Sequence, residues 1–453
     1  MGRYRRQRLA NDHKRRMLRR RMGKMTLLVM ITLTVVILVL YENLHLAGSP
    51  LKNGHRELMQ AVQLDALQEN VDPRLLYQTT QVTVATTTSA PSSAWDHSVY
   101  AHRRQQCENT CVRLREGGVV RTTRHGNTSY CVVPKVGCTF WLNIFRYLYN
   151  DTGDRTYSSP YDIPRMVTHY APLKRMKMYT INNTFTPPNL STDLRFMFVR
   201  EPYSRLWSAY VDKFLLVDYW RSEGQRIVKQ RKVKANATTP INKCAHDISF
   251  REFAEFVVSM QPAQLNEHWK PIQHLCSPCI YRPHVVGKME TFAQDSGFLL
   301  EHMNLSWVLA SYEHEKHVYD EMDMLIDYNF QLLNHNFYKN CTNATDIADR
   351  LWRTFQINGY LPEEIAFPQD KAVKLNATAF KGMVHEAFRH RPKKSPAEWR
   401  QQREGAMVAA FKQLSTDTLE KLHNLYASDF ELFGYDPRPD SLFKDRMTNT
   451  TSS

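Results

Sequence analysis

The chain lacks the short signatures of three common enzyme classes. No G-x-x-x-x-G-K-[ST] loop occurs, which argues against a Walker-type ATPase. No two aspartates are separated by a single residue, so the Asp-x-Asp motif of metal-dependent glycosyltransferases is missing. The metal-hydrolase signature H-E-x-x-H is missing too, because His385-Glu386 is followed by His390, one residue too far for one helical face.

Composition and charge exclude further classes. The 453 residues are 42% hydrophobic and 23% charged, an ordinary globular mixture that excludes collagen, wholesale disorder and a small disulfide-stapled scaffold. The net charge of +15 suggests an anionic partner, but residues 1–24 hold eleven Lys or Arg and one Asp, so the remaining 429 residues carry only +5. The excess charge is mostly a tail, and nucleic acid is not expected as a partner.

An uncharged segment, Met25–Tyr41, follows the basic tail. Its length is close to the lower limit for a membrane-spanning helix, and the positive charge before it orients the N-terminus towards the cytosol. We therefore predict a single-pass type II signal-anchor with residues 1–24 as its cytoplasmic tail. The rival is a cleaved signal peptide, whose best cleavage candidate, Leu46-Ala47-Gly48, is poor.

All eight cysteines and all ten Asn-x-Ser/Thr sites follow this segment. Disulfides and N-glycans belong to the secretory lumen, so the rest of the chain is expected there. Residues 42–106 lack cysteine and contain a Thr/Ser-rich run at 79–94, which is typical of an extended stem. We predict one lumenal domain at 107–437 and a C-terminal tail at 438–453.

Strand-like and helix-like runs alternate in this domain, which indicates an α/β fold with a parallel sheet and flanking helices. Two strand-loop-helix units stand out by their apolar spacing. The predicted strands are Tyr130–Val133 and Leu194–Val199, and the predicted helices are Thr139–Tyr149, Pro202–Phe214, Ile248–Met260 and helices within 402–430.

Each of the two units ends its strand in a loop suited to an anion. In the first loop Gly137 lets the backbone approach a phosphate, Lys135 adds a point charge and Thr139 donates a hydrogen bond. In the second, Arg200 and the Ser208 hydroxyl follow the strand's carboxyl end, where α/β proteins place ligands. Two such sites suit a nucleotide with two separate phosphates. The alternatives are an ordinary turn with a surface lysine, and an arginine paired with a local carboxylate.

Three motifs in this order are similar to the Golgi carbohydrate sulfotransferases of the HNK-1 and chondroitin 4-O type. The resemblance lies in VPKVGCTFW at Val133–Trp141, FVREPYSRLWSAYVDKF at Phe198–Phe214, and HWKPIQHLCSPC with VVGKMETF within His268–Phe292. It extends more loosely to FELFGYDP at Phe430–Pro437.

The resemblance implies a fold like that of nucleotide kinases and 3′-phosphoadenosine 5′-phosphosulfate as the sulfate donor, with no metal. Lys135 and Thr139 would bind the 5′-phosphosulfate, and Arg200 and Ser208 the 3′-phosphate. Phe140 stands where Asn is frequent in the family, and Tyr203-Ser204 replace Phe-Glu, which hardly affects the donor site. The full set of implied donor-site residues is Pro134, Lys135, Val136, Gly137, Cys138, Thr139, Phe140, Arg200, Glu201, Pro202, Tyr203, Ser204, Arg205, Leu206, Trp207 and Ser208.

Sulfuryl transfer requires neutralisation of the leaving phosphate and removal of a proton from the acceptor hydroxyl. Lys135 is expected to do the first. His169 is the leading candidate for the base, because it lies between the two donor motifs, where related sulfotransferases place a catalytic histidine. His268 is the second candidate; it would otherwise contact the acceptor or pack beneath Trp269.

Cys276 and Cys279 are spaced like half of a zinc site, with His268 or His274 nearby. No second pair follows, and in an oxidising lumen disulfides are the favoured interpretation. Whether Cys138, inside the phosphate loop, stays a free thiol is left open.

The acceptor is the least defined part of the prediction. Acceptors in the family include the 4-hydroxyl of N-acetylgalactosamine in chondroitin or dermatan, terminal N-acetylgalactosamine, and the 3-hydroxyl of glucuronic acid. We predict the first, in the Golgi membrane; the other acceptors and an inactive lumenal glycan-binding protein are the alternatives. The sequence does not indicate an oligomeric state.

Overall fold

The computed structural model describes residues 98–114, 120–153, 155–181, 190–234, 244–371 and 375–447. The predicted basic tail, the hydrophobic segment Met25–Tyr41 and most of the predicted stem lie outside these ranges. Within them, no helix is both long and apolar enough to cross a membrane.

A five-stranded sheet organises the described part of the chain, with strand order β3-β1-β2-β4-β5. Strands β2, β4 and β5 are parallel, and β1 pairs antiparallel with both β2 and β3. The strands are β1 (Val120–His125), β2 (Thr128–Cys131), β3 (Met178–Ile181), β4 (Leu194–Val199) and β5 (Val285–Lys288).

Helices surround the sheet and form most of the second half of the chain. They are α1 (Ser98–Cys111), α2 (Cys138–Leu148), α3 (Arg165–Tyr170), α4 (Pro202–Tyr210), α5 (Glu223–Lys234), α6 (Phe250–Val258), α7 (Pro278–Tyr281), α8 (Phe292–His302), α9 (Ser306–Ala310), α10 (His314–Leu332), α11 (Asn336–Lys339), α12 (Ala344–Ile357), α13 (Ala377–Arg389), α14 (Pro396–Lys412), α15 (Thr416–Leu425), α16 (Ala427–Phe433) and α17 (Asp440–Met447).

The sheet is mixed, which corrects the prediction of a parallel sheet. The antiparallel pairing of β1 with β2 arises from a tight turn between them, where Gly126 has a φ of 55°. Residues 128 to 131 then pair both with β1 and with the parallel strand β4. Only the half of the sheet that carries the two predicted loops is parallel.

The interior strand β4 coincides with its predicted range, and five of its six residues are buried. Such a continuous apolar run is typical of a strand covered on both faces. The predicted helix over Pro202–Phe214 is α-helical only to Tyr210 and continues as a π-helical turn, Val211–Leu215. The region 402–430 is helical as predicted and contains parts of α14, α15 and α16.

Three disulfides join distant parts of the chain, which confirms the disulfide interpretation of the cysteines. The bridges are Cys111–Cys279, Cys131–Cys276 and Cys244–Cys341. The first two connect α1 and β2 to Cys279 and Cys276, the two cysteines that are spaced like half of a zinc site. Because they close loops of 168 and 145 residues, they restrict the unfolded chain strongly.

Arg205 fastens three segments around the carboxyl ends of β2 and β4. Its side chain is 2% exposed. Nε donates to Pro134 O at 3.0 Å, Nη1 to Lys270 O at 2.7 Å and Nη2 to Glu267 O at 2.8 Å. Arg205 therefore holds the first anion loop against the segment that carries His268.

We expect Arg205→Met to lower the free energy of unfolding by about 3 kcal/mol, because it strands three carbonyl oxygens in the interior. Arg251→Met is the matched control: Arg251 is exposed and pairs with Glu255 on the surface of α6, so its loss should cost under about 0.5 kcal/mol. Urea unfolding of both variants measures the difference. Equal costs would show that Arg205 does not stabilise the loop junction.

Candidate active site

The carboxyl ends of β2, β4 and β5 meet at one edge of the sheet, above a cavity of about 770 Å³. The two predicted anion loops follow β2 and β4, and Phe292, at the start of α8, follows β5. Lys135, Thr139, Arg200 and Ser208 all line this one cavity. The topology therefore brings the two sequence-predicted loops together.

The first loop adopts an unusual backbone. Lys135 has a φ of 69° and Gly137 a φ of 73°, the left-handed region that non-glycine residues rarely adopt. A Cβ atom on Gly137 would lie 2.4 Å from the Phe292 ring, so the close packing of the loop on α8 requires glycine. Gly137 also precedes α2 directly, which leaves the first backbone N–H groups of that helix at the loop.

Lys135 belongs to a cluster of charges around one carboxylate. Asp212 Oδ2 lies 3.0 Å from Lys135 Nζ, 3.1 Å from Arg165 Nη2 and 3.3 Å from Lys213 Nζ. Lys213 also pairs with Asp218 at 2.6 Å. Lys135, Arg165, Asp212 and Lys213 all line the cavity. Three cations thus surround the partly buried carboxylate of Asp212.

The cluster shifts the pKa values of its members. Burial alone would raise the pKa of the Asp212 carboxyl, but the three surrounding cations hold it well below its usual range. Burial lowers the pKa of Lys135, and Arg165 and Lys213 add to that effect while Asp212 opposes it. The Asp212 carboxylate raises the pKa of Arg165.

Two arginines line another part of the cavity. Arg200 is 4% exposed; its Nε donates to Ser204 Oγ at 2.9 Å, and its Nη1 to Lys135 O at 3.4 Å. Arg403, from α14, is also 4% exposed, and burial lowers its pKa to about 10. A Cβ on Gly359 would lie 2.9 Å from Arg403 Nη1, so glycine there gives the guanidinium room.

The predicted donor-site residues divide into two groups. Nine reach the cavity, and the other seven lie in its supporting structure, where Glu201 caps α4 by accepting from the backbone N–H groups of Tyr203 and Ser204. Those that line the cavity are Pro134, Lys135, Gly137, Cys138, Thr139, Phe140, Arg200, Trp207 and Ser208, and those outside its wall are Val136, Glu201, Pro202, Tyr203, Ser204, Arg205 and Leu206.

His169 lies beside the first loop, with Nε2 3.0 Å from Thr139 Oγ1. His169 lines the cavity and is an exposed residue. The surrounding walls reduce its hydration, and the nearby cations Arg165 and Lys213 disfavour a further positive charge; together they lower the pKa of His169 to about 3. The side chain is therefore neutral near pH 7.

His268 also lines the cavity. Its Nδ1 lies 2.7 Å from Asn266 Oδ1 and 3.1 Å from the Tyr219 hydroxyl. Since an amide oxygen only accepts, Nδ1 carries the proton and Nε2 has the free lone pair. Burial, with Lys213 nearby, holds the pKa of His268 well below its usual range. Both predicted histidines thus reach the site, but only His169 contacts the anion loop directly.

Sequence reasoning missed several cavity residues. Arg165 precedes His169 by four positions on α3, so helical spacing alone could have indicated it. Asp212 and Lys213 lie within the motif Phe198–Phe214, but the sequence analysis assigned them no role. Arg403 is distant along the chain and had no local signal. Among the described residues, no group of His, Cys, Asp and Glu side chains is arranged to hold a metal ion.

Residues 119–340 match the family model described as the sulfotransferase family. This segment is a sulfotransferase-family domain. It contains both anion loops, both candidate histidines and the Asp212 cluster, whereas Arg403 lies beyond it.

Curated relatives of this domain are carbohydrate sulfotransferases. Carbohydrate sulfotransferase 11 of Danio rerio is 37% identical over 177 residues, which cover 38% of this chain and 49% of the relative. The Mus musculus protein of the same name is 34% identical over 202 residues, 43% of this chain and 55% of the relative. Carbohydrate sulfotransferase 14 of Danio rerio is 32% identical over 177 residues, 38% of this chain and 44% of the relative. The chain thus spans about half the length of these relatives. No solved structure matches it.

We expect Gly137→Ala to lower the free energy of unfolding by about 3 kcal/mol, because a methyl group adds a clash with Phe292 to the strain of a left-handed alanine. Gly126→Ala is the control: Gly126 also has a positive φ, but its Cβ would meet open space, so about 1 kcal/mol is expected. Thermal unfolding of both sulfotransferase-domain variants measures the difference, and equal losses would contradict close packing at the loop.

Proposed function

We propose that this protein transfers sulfate from 3′-phosphoadenosine 5′-phosphosulfate to a hydroxyl group of a glycan. The proposal depends on one observation: Lys135 from the first anion loop, Arg200 from the second and the neutral His169 all line the same cavity. A donor with two separate anionic ends needs this arrangement, and Lys135 and Arg200 provide it from neighbouring parallel strands.

The chemistry of the cavity fits the donor. Lys135, Thr139 and the N-terminus of α2 would hold the 5′-phosphosulfate, and Arg200 and Ser208 the 3′-phosphate. Arg403 adds a further buried cation to the cavity wall. The donor supplies an activated sulfuryl group whose sulfur–oxygen bond to the phosphate breaks as the acceptor oxygen bonds to sulfur.

The chain's own residues handle charge and proton in this step. Once the donor is bound, Lys135 neutralises the phosphate oxygen as that oxygen gains charge in the reaction. His169 accepts the proton of the acceptor hydroxyl through Nε2. For this, the Thr139 hydroxyl must turn towards the donor, which breaks its present hydrogen bond with Nε2. His268 is the alternative base.

For the acceptor we propose the 4-hydroxyl of N-acetylgalactosamine in chondroitin or dermatan, on the strength of the family resemblance of the sequence motifs. The modest positive surplus outside the basic tail supports a polyanionic acceptor chain. The proposed location is the Golgi membrane, with the sulfotransferase domain in the lumen.

One wall of the cavity favours a second acceptor, terminal N-acetylgalactosamine on a glycoprotein glycan. Four carboxylates of α10 line this wall, and the lysines Lys316 and Lys381 balance them only in part. Carboxylates accept hydrogen bonds from sugar hydroxyls and repel uronates, so an uncharged sugar suits this wall better. The four are Asp320, Glu321, Asp323 and Asp327.

We expect the full chain to transfer radiolabelled sulfate from the donor to at least one of four acceptors: desulfated chondroitin, desulfated dermatan, a terminal N-acetylgalactosamine glycan or a glucuronyl glycan. Lys135→Ala should reduce kcat by about 10²- to 10³-fold. Lys421→Ala, which removes a surface lysine paired with Asp417, should leave it unchanged.

Disaccharide analysis of the labelled product distinguishes the acceptors. Label on the 4-position of N-acetylgalactosamine within chondroitin or dermatan supports the first acceptor, and label only on a terminal sugar supports the second. No label on any acceptor from folded protein would overturn the enzymatic proposal in favour of an inactive glycan-binding protein.

The base is tested by His169→Asn and His268→Asn, which remove the imidazoles with little change in volume. We expect His169→Asn to reduce kcat by about 10²- to 10⁴-fold while the affinity for the nucleotide product changes little. His268→Asn should have a much smaller effect on kcat. The reverse order would assign the base to His268.

A further inference from the structure

Asp212 is placed to act on Lys135, although no motif gives it a role. It lies in the π-helical turn Val211–Leu215 that continues α4 beyond Tyr210. The N–H of Leu216 reaches back to the carbonyl of Val211 at 3.2 Å, which closes this wide turn. Such turns re-aim side chains and are frequent at functional sites. Here both Asp212 and its neighbour Lys213 reach the same cavity.

The contacts of Asp212 account for both of its carboxylate oxygens. Oδ2 accepts from Lys135 Nζ at 3.0 Å and from Arg165 Nη2 at 3.1 Å, and Oδ1 lies 3.3 Å from the same Nη2. The Lys135 side chain is 18% exposed and that of Asp212 12%, so water screens this pair only in part. Lys135 thus already holds an anion where the donor's phosphosulfate is expected.

A nucleotide anion must therefore compete with Asp212 for Lys135. The carboxylate weakens the field of the three cations towards any anion that enters, the bisphosphate product included. It also keeps these cations together and oriented while the cavity holds no nucleotide, because like charges this close repel one another.

We propose that Asp212 is a positioning residue for sulfate transfer: a resident counter-ion that holds Lys135 in place, yields it when the donor binds, and takes it back as the bisphosphate product leaves. The proposal rests on the proposed function, because it assigns Lys135 to the donor. It predicts that Asp212 weakens nucleotide binding and speeds turnover.

Asp212→Asn keeps the shape of the side chain and removes its charge. We expect the dissociation constant for 3′-phosphoadenosine 5′-phosphate to fall by about fivefold or more, because the nucleotide no longer competes with the carboxylate for Lys135. We expect kcat to fall, because release of the bisphosphate product becomes slower. Asp417→Asn is the control. Asp417 is exposed, pairs with Lys421 on the surface and lies outside the wall of the main cavity, so its loss should change the dissociation constant by less than about twofold.

Titration calorimetry of the full chain with 3′-phosphoadenosine 5′-phosphate, alongside transfer kinetics, separates the outcomes. Tighter binding with slower turnover in Asp212→Asn supports the counter-ion role. Weaker binding by this variant, while the unaltered chain binds normally, overturns that role and leaves the proposed function standing. Failure of the unaltered chain to bind the nucleotide overturns the proposed function itself.

A second measurement needs no variant. In a crystal structure of the unaltered chain with 3′-phosphoadenosine 5′-phosphate, we expect Lys135 Nζ to contact a phosphate oxygen and to lie more than about 4 Å from Asp212, beyond ion-pair distance. A Lys135–Asp212 contact retained at its present 3.0 Å with the nucleotide bound would overturn the proposal.

Discussion

The site depends on the parallel pairing of β2 with β4. Parallel neighbours present their carboxyl ends at the same edge, so the loops that follow them must lie side by side. This pairing brings Lys135 close enough for Arg200 to donate to its carbonyl oxygen. Arg205 then stabilises the first anion loop by donating to Pro134 O and to the carbonyl oxygens of Glu267 and Lys270, which flank His268. Without the parallel pairing of β2 with β4, the two anion loops would not lie side by side at one cavity.

The same edge also sets the electrostatics of the site. A cavity that gathers so many cations is suited to an anionic ligand but costly to build, since buried like charges repel. Asp212 offsets the repulsion among the cations that surround it. The four carboxylates of α10 add negative charge along one wall of the cavity. The cavity therefore has a cationic interior and a more acidic wall. This division suits a doubly anionic donor and a hydroxyl-rich acceptor.

Local pattern was enough to predict much of the fold and of the donor loops. β4 coincides with its predicted range because a continuous apolar run has one stable environment, the middle of a covered sheet. The antiparallel strands were not predicted, because β1 is polar and half-exposed along part of its length and gives no clear period. The counter-ion cluster could not be predicted as a whole from local pattern. Lys135, Arg165 and Asp212 lie in three separate segments of the chain, and only tertiary packing brings them together.

The central claim is that Arg200 and Lys135 bind opposite ends of one nucleotide. It is tested most directly by comparing the affinities of the full chain for 3′-phosphoadenosine 5′-phosphate and for 5′-AMP, which lacks the 3′-phosphate. The unaltered protein should prefer the bisphosphate, and Arg200→Gln should lose most of this preference while binding 5′-AMP as before. If Arg200→Gln keeps the full preference for the bisphosphate, the two loops do not divide the nucleotide between them, and the account is wrong.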